Sequence, residues 1–181
     1  MNHRQLLAAT AITLLSATAA QAAELYGTAS LGRSDWKVDD EPGISIDKTG
    51  TGFKLGLGAQ LTPNLAVEGG YVSLGKARLS GAGGSGSVKG QGVFADLVGS
   101  LPINSEVALF AKLGVFHGKA KASASGISES DSGTDAKFGF GASYALSKTT
   151  QLRAEWERYR FNLSGDKGDV DLLSVGLNFA F

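Results

Sequence analysis

The stretch DLLSVGLNFAF (Asp171–Phe181) sets Leu173, Val175, Leu177, Phe179 and Phe181 on one parity and Ser174, Gly176, Asn178 and Ala180 on the other. Successive side chains of a strand point to opposite faces, so this alternation predicts a strand with one greasy side. In a water-soluble sheet, a last strand ending on Phe would be a sticky open edge. In a membrane barrel the same strand is a seam that closes on the first strand. The rest of the chain decides between the two.

The same period recurs upstream. Phe53, Leu55, Leu57, Ala59 and Leu61 stand against Lys54, Gly56, Gly58 and Gln60, and Val107, Leu109, Ala111, Leu113 and Val115 against Phe110, Lys112 and Gly114. Phe138, Phe140, Ala142, Tyr144 and Leu146 oppose Gly139, Gly141 and Ser143, while Leu152, Ala154 and Trp156 oppose Arg153, Glu155 and Glu157. Three tight connections, LTPNL (61–65), LPINSEV (101–107) and LSKTTQL (146–152), read as hairpin turns. On the other side lie longer stretches without apolar alternation, at 37–48, 79–87, 119–132 and 162–168. Short turns at one end and longer loops at the other predict eight strands, at 24–36, 49–61, 64–79, 88–101, 106–118, 134–146, 150–161 and 169–181.

Alternation alone fits a soluble barrel with a greasy core equally well, and three features favour the inverted arrangement. The interior of an eight-stranded barrel is just wide enough to be filled by side chains, so the glycine-rich, charged faces fit inside better than the leucines. The apolar runs approach the ~9–11 residues that a tilted membrane strand needs. Aromatics such as Tyr71, Tyr144, Trp156, Phe179 and Phe181 stand near the ends of the apolar faces, where an interfacial girdle belongs. The expected fold is all-β: an eight-stranded antiparallel up-and-down transmembrane barrel.

The chain start supports export. A basic residue at Arg4, an apolar core over 6–15 and Ala20-Gln21-Ala22 form a leader of the secretory kind, expected to be cut after Ala22. Removing 22 of the 181 residues leaves 159, enough for one domain over 23–181. Losing Arg4 from 17 basic residues leaves 16 against 17 acidic ones, which provides no basic field for nucleic acid. With no cysteine, disulfides and thiolate chemistry are both absent. The 26 glycines and 3 prolines suit many strands. An exported chain without a long apolar helix can cross a bilayer only as a closed barrel, because every backbone polar group needs a partner within the protein.

The segments AELYGTASLG, GAQLTPNLAVEGGYVSLG, GVFADLVGSLPINSEVALFAKLG and VGLNFAF make the mature chain similar to the small outer-membrane barrels of the OmpA-like transmembrane and OmpX-like type. The resemblance implies residence in the outer membrane of a Gram-negative cell, contact with its lipids and lipopolysaccharide, and a closing strand whose Leu177, Phe179 and Phe181 are read by the barrel assembly machinery. It also implies a lumenal carboxylate and base pair, at the positions of Glu68 and Arg153. Where the family has a further lumenal base this chain has Val98, and where it has a further carboxylate this chain has Ser143. That departure removes the partners for a pair-switching gate. A peptidoglycan-binding domain is not expected after Phe181, and with it the wall-anchoring role of full-length OmpA.

The inward parity carries Lys54, Glu68, Asp96, Lys112, Arg153, Glu155 and Glu157. Glu68, Asp96, Lys112 and Arg153 lie at comparable depth from the short turns, and opposite charges in a narrow lumen should pair, because an isolated buried charge costs several kcal/mol. A structural polar plug is preferred over a conducting path. An enzyme reading fares worse. His117, the one histidine of the mature chain, falls on the lipid side, and the residue two along is Lys119 rather than the Ser used by lipid A deacylase barrels. A lone imidazole without thiolates makes no metal site either, and no cofactor is expected. GAGGSG (81–86) fits a nucleotide fingerprint in letters only, since no helix follows it.

At the outer rim, Arg33, Arg158 and Arg160 face outward at the level of lipopolysaccharide phosphates, which guanidinium suits. The acids Asp39, Asp40, Glu41, Asp47, Glu129, Asp131, Asp166 and Asp169 in the outer loops are expected to be hydrated rather than to hold divalent cations. The sequence therefore predicts a monomeric, non-enzymatic outer-membrane barrel with a structural or surface-interaction role and an unidentified extracellular ligand. A narrow or transient pore is the alternative, and a lipid A-modifying enzyme the third.

Overall fold

The computed structural model describes residues 24–37, 44–47, 49–81, 84–124, 127–163 and 166–181. The expected leader (1–22) and the acids Asp39, Asp40 and Glu41 lie outside the described residues. The strands are β1 (Glu24–Lys37), β2 (Ile44–Asp47), β3 (Thr49–Thr62), β4 (Leu65–Gly81), β5 (Gly84–Pro102), β6 (Val107–Ala124), β7 (Ile127–Ala145), β8 (Thr150–Leu163) and β9 (Asp166–Ala180). Neighbours pair antiparallel in the order β4-β3-β1-β9-β8-β7-β6-β5, and β4 pairs with β5, so the sheet closes on itself. The four-residue β2 is an addition to the far end of β4, registered from Ile44↔Gly81 to Asp47↔Arg78, which leaves eight staves.

The closing ladder is β1 on β9, running from Tyr26↔Ala180 to Lys37↔Asp169, and the Phe181 N–H donates to the Leu25 carbonyl at 3.1 Å. The greasy last strand is therefore the seam, with backbone partners on both sides, as the bilayer core demands. The three short turns close at the other end of the hairpins. Asn104 Oδ1 accepts the Glu106 and Val107 N–H groups at 2.8 and 2.7 Å, and Ser147 Oγ accepts the Thr150 N–H at 3.0 Å. These are the local bonds that make Asn and Ser turn residues.

Faces follow the alternation. Leu31, Leu57, Leu113, Leu173 and Phe181 are each more than 60% exposed in the isolated chain, whereas Lys54, Lys137 and Glu157 are almost fully buried. Bulky inward rings need vacant positions opposite. A Cβ on Gly58 would run into the Tyr26 ring, and one on Gly90 would stand 2.8 Å from the Trp36 ring.

The strands are longer than the alternation suggests. β5 and β7 have 19 residues each and β6 has 18, and pairing continues through Gly81↔Gly84 and Ala124↔Ile127. The stretches expected as loops at 79–87 and 119–132 are thus largely paired ribbon. The physical reason is that apolar alternation marks the hydrocarbon layer, not the ladder. The Ala and Ser residues beyond it pair through the backbone equally well.

One irregularity re-aims a side chain. Between Ser73↔Gln91 and Lys76↔Lys89, two residues of β4, Leu74 and Gly75, face the single Gly90 of β5. This β-bulge places Gly75 at φ 76°, a conformation open to glycine. Leu74 stays buried, and its carbonyl accepts the Ser34 hydroxyl at 2.6 Å. Beyond the bulge the parity of β4 flips, so Lys76 is exposed rather than lumenal.

Candidate functional site: the ion-paired lumen

From the short-turn end inward, the lumen has three layers. The first is a small apolar cluster of Tyr26, Ala66, Val98 and Phe110. Above it lie eight buried charges: Lys54, Lys112, Lys137 and Arg153 with Glu68, Asp96, Glu155 and Glu157. Toward the loop end, Trp36, Val72, Leu74, Phe94, Phe116, Tyr159, Val170 and Leu172 pack as an apolar layer.

The charges form one alternating chain across the barrel. The Tyr26 hydroxyl donates to Glu68 at 2.8 Å, and Glu68 also accepts Arg153 Nη1 at 2.5 Å and Lys112 Nζ at 2.8 Å. Lys112 reaches on to Glu155 at 2.7 Å, and Glu155 binds Lys54. Lys54 contacts Glu157 at 2.6 Å, Glu157 contacts Lys137 at 2.7 Å, and Lys137 contacts Asp96 at 2.6 Å. The Tyr159 hydroxyl donates to Glu157 at 3.1 Å. Four cations meet four carboxylates, so the layer is neutral as a whole while every member is surrounded by the opposite sign. That condition makes burial of ions tolerable.

Aromatic faces cap the chain at both ends. Arg153 lies 4.1 Å over the Phe110 ring on the turn side, and Lys137 lies 4.7 Å over Phe94 and 5.0 Å over Tyr159 on the loop side. Cations stack on the negative faces of such rings. A cavity of about 170 Å³ opens from the turn end down to Glu68 and Arg153, past Tyr26, Asn178 and Phe110.

The geometry brings Glu68, Arg153, Asp96, Lys112 and Glu155 into one network together with Lys54 and Glu157. Sequence reasoning missed Lys137, although its place two residues before Gly139 on the same parity was a usable signal. It also missed the apolar loop-side layer, because the inward parity of β1 and β9 was read only from its small and polar residues, and Trp36, Val170 and Leu172 fall on that same parity at the loop end. The rim arginines sit apart. Arg33 is exposed, Arg160 lies 5.8 Å from the Phe138 ring centroid, and Arg158 is held by Asp171 through two bonds of 2.6 and 2.8 Å. His117 points outward, its Nδ1 2.7 Å from Thr134 Oγ1. Leu177 and Phe179 on the outer face of β9, and Phe181 just beyond its end, are exposed. The side chains of Asp47, Glu129, Asp131 and Asp166 lie outside the described residues, as do those of GAGGSG (81–86).

Comparison with known proteins agrees with this geometry. The family described as "Outer membrane protein beta-barrel domain" matches residues 6–181. The chain belongs to the outer membrane protein beta-barrel family. Among relatives of this outer-membrane barrel, Outer membrane protein A of Yersinia pseudotuberculosis is 32% identical over 183 residues, covering 91% of this chain and 52% of the relative. That of Salmonella typhi is 31% identical over 182 residues, covering 91% of this chain and 51% of the relative. This barrel therefore spans about half the length of the curated relatives it matches. The crystal structure of Ail of Yersinia pestis superposes with a TM-score of 0.55 at 28% identity, covering 86% of this chain and 99% of that one. Neisserial surface protein A shares the fold at a TM-score of 0.68 and 15% identity, over 89% and 100% of the two chains. The protein resides in the Gram-negative outer membrane, among its lipids and lipopolysaccharide.

Proposed function

We propose that this outer-membrane barrel is a closed, non-enzymatic monomer whose lumen is plugged, and that it acts through its outer end. The observation that supports this most is the eight-member ion chain backed on its loop side by an apolar layer, since a through-path from the turn-end cavity would have to break the first and part the second. The Leu177, Phe179 and Phe181 face of β9 would be the segment read by the barrel assembly machinery, and Arg33, Arg158 and Arg160 the contacts to lipopolysaccharide phosphates. Arg158 is the weakest of the three, because Asp171 already neutralises it.

The Ail structure has also been solved with the heparin analogue sucrose octasulfate. The acids Asp39, Asp40 and Glu41 in the first outer loop of this chain favour a cationic or neutral partner over a sulfated glycan. Planar-bilayer recording tests the closed state: no steady openings are expected from the mature protein. Steady openings lost on Glu68→Ala or Arg153→Ala would instead make it a channel, a reading favoured by the cavity that reaches both residues from the turn end. Lipid A mass spectrometry after overexpression tests the absence of enzymatic activity, and an altered acyl pattern would refute it.

A further inference from the structure

Charges at the loop end are sorted around the rim. On the β8–β9–β1 side cations and carboxylates mix: Arg158 is bonded to Asp171, and Asp169 lies 3.9 Å from its Nη1. On β4, β5 and β6 the outward positions carry Lys76, Lys89 and Lys119, and no carboxylate falls on the outward parity of β5, β6 or β7. Asp47 of β2 is registered with Arg78. Lys76 and Lys89 are direct ladder partners on one face, an arrangement that is destabilising for like charges. With Arg33, Thr49, Thr51 and Gly75 they line one depression on the outside of the barrel. Among the described residues none of the three cations has an ion-pair partner.

The depression lies where lipid-facing surface ends. Arg33 is two residues beyond Leu31, which is 68% exposed, and the Phe53 and Tyr71 rings stand 5.9 Å apart just below the bulge. Beyond Lys89 the β5 strand continues for five more residues to Gly84, roughly 15 Å at the rise of a strand. The cations are thus recessed to headgroup depth, below the tips of the ribbons.

We propose that Arg33, Lys76 and Lys89 form a cradle for a phosphate monoester on the headgroup of an outer-leaflet lipid. A doubly charged phosphate between the two lysines turns their repulsion into attraction, the Arg33 fork grips two of its oxygens, and the Thr51 hydroxyl can donate a further bond. The β-bulge creates the site, because in an unbroken ladder, with Leu74 and Gly75 on opposite faces, Lys76 would face the lumen. The inference rests on the loop end lying in the outer leaflet, and it goes beyond the rim arginines by naming a cradle built on two lysines and a bulge.

The test uses the mature protein in detergent micelles, with lipid retention read by native mass spectrometry. The probes are bisphosphorylated lipid A and the same lipid with both phosphates removed. Folding is checked by heat-modifiable gel mobility. Wild type is expected to retain the phosphorylated lipid at least tenfold better than the dephosphorylated one. Arg33→Gln/Lys76→Gln/Lys89→Gln should lose that preference, while Lys76→Arg/Lys89→Arg, which preserves charge and solubility, should keep it. Equal retention of the two lipids by wild type, or an undiminished preference in the glutamine variant or in Lys89→Gln alone, overturns the cradle. So does sucrose octasulfate bound through the same three residues by a protein indifferent to the lipid phosphates, which would reassign the cations to a soluble sulfated partner. The outcome is independent of conductance: a conducting barrel that prefers phosphate refutes the closed state and leaves the cradle standing.

Discussion

Glu157 stands between Lys54 at 2.6 Å and Lys137 at 2.7 Å, with the Tyr159 hydroxyl beside it and no exposure to solvent. Removing it leaves four buried cations facing three carboxylates, with Lys54 reduced to Glu155 and Lys137 to Asp96, and breaking buried pairs in this way costs about 3–5 kcal/mol. Glu157→Ala should therefore lower the unfolding free energy in urea titrations from lipid vesicles by about that amount. Replacing Lys112 and Glu68 together with Met and Leu should cost far less than either single change. A second residue-level test concerns space. Gly58→Val should destabilise the barrel by colliding with Tyr26, and Tyr26→Ala in the same chain should recover much of the loss, giving a coupling energy of about 1–3 kcal/mol in a double-mutant cycle. At this scale the sequence was legible wherever parity could be counted from a turn: Glu68, Lys112 and Arg153 fall on the inward parity, and their side chains are buried. Beyond the Glu68–Arg153 pair that the resemblance implied, which carboxylate meets which base was not legible. That depends on reach across the lumen between strands far apart in the chain, as with Lys54 and Glu157, and alternation carries no information about it.

Each stave has one face in hydrocarbon, so the cost of a charge should depend on parity and depth. Leu113→Lys, near the middle of β6, should cost about 2–4 kcal/mol in vesicle refolding equilibria, and Leu101→Lys, at the turn end of β5, much less. Equal costs at the two sites would mean that the outward face does not lie across a bilayer. At the bulge, a Cβ on Gly75 would stand 2.5 Å from the Thr51 carbonyl oxygen in a left-handed conformation. Gly75→Ala should cost about 1–3 kcal/mol by thermal or urea unfolding. The eight staves and their three short turns were readable because turn residues and apolar period change at the same places. The far ends of β4 to β7 were not, because a ladder that has left the membrane no longer needs apolar residues. The bulge was also invisible: two residues of β4 sharing one ladder position leave no compositional mark, yet they put Lys76 outside, where unbroken alternation would put it inside.

The whole molecule is a cylinder turned inside out relative to a soluble barrel. Its charged network lies in the lumen, its leucines and aromatics lie outside, and its family membership places that outer face in the outer-membrane bilayer. The sequence revealed this inversion through glycine and charge sharing one parity in a space too narrow for leucines. It did not reveal the apolar layer of Trp36, Phe116, Tyr159 and Leu172 at the loop end, a second barrier that salt-bridge arguments alone would overlook. Nuclear magnetic resonance of the mature protein in lipid nanodiscs tests the inversion most directly, with a paramagnetic label on the acyl chains in one sample and a water-soluble paramagnetic chelate in another. The methyl signals of Leu57, Leu113 and Val175 should broaden with the acyl-chain label and remain sharp with the chelate, while the side-chain signals of Lys54, Lys112 and Lys137 escape both. Broadening of those lysines by the acyl-chain label, or of the leucines by the chelate, would contradict the account.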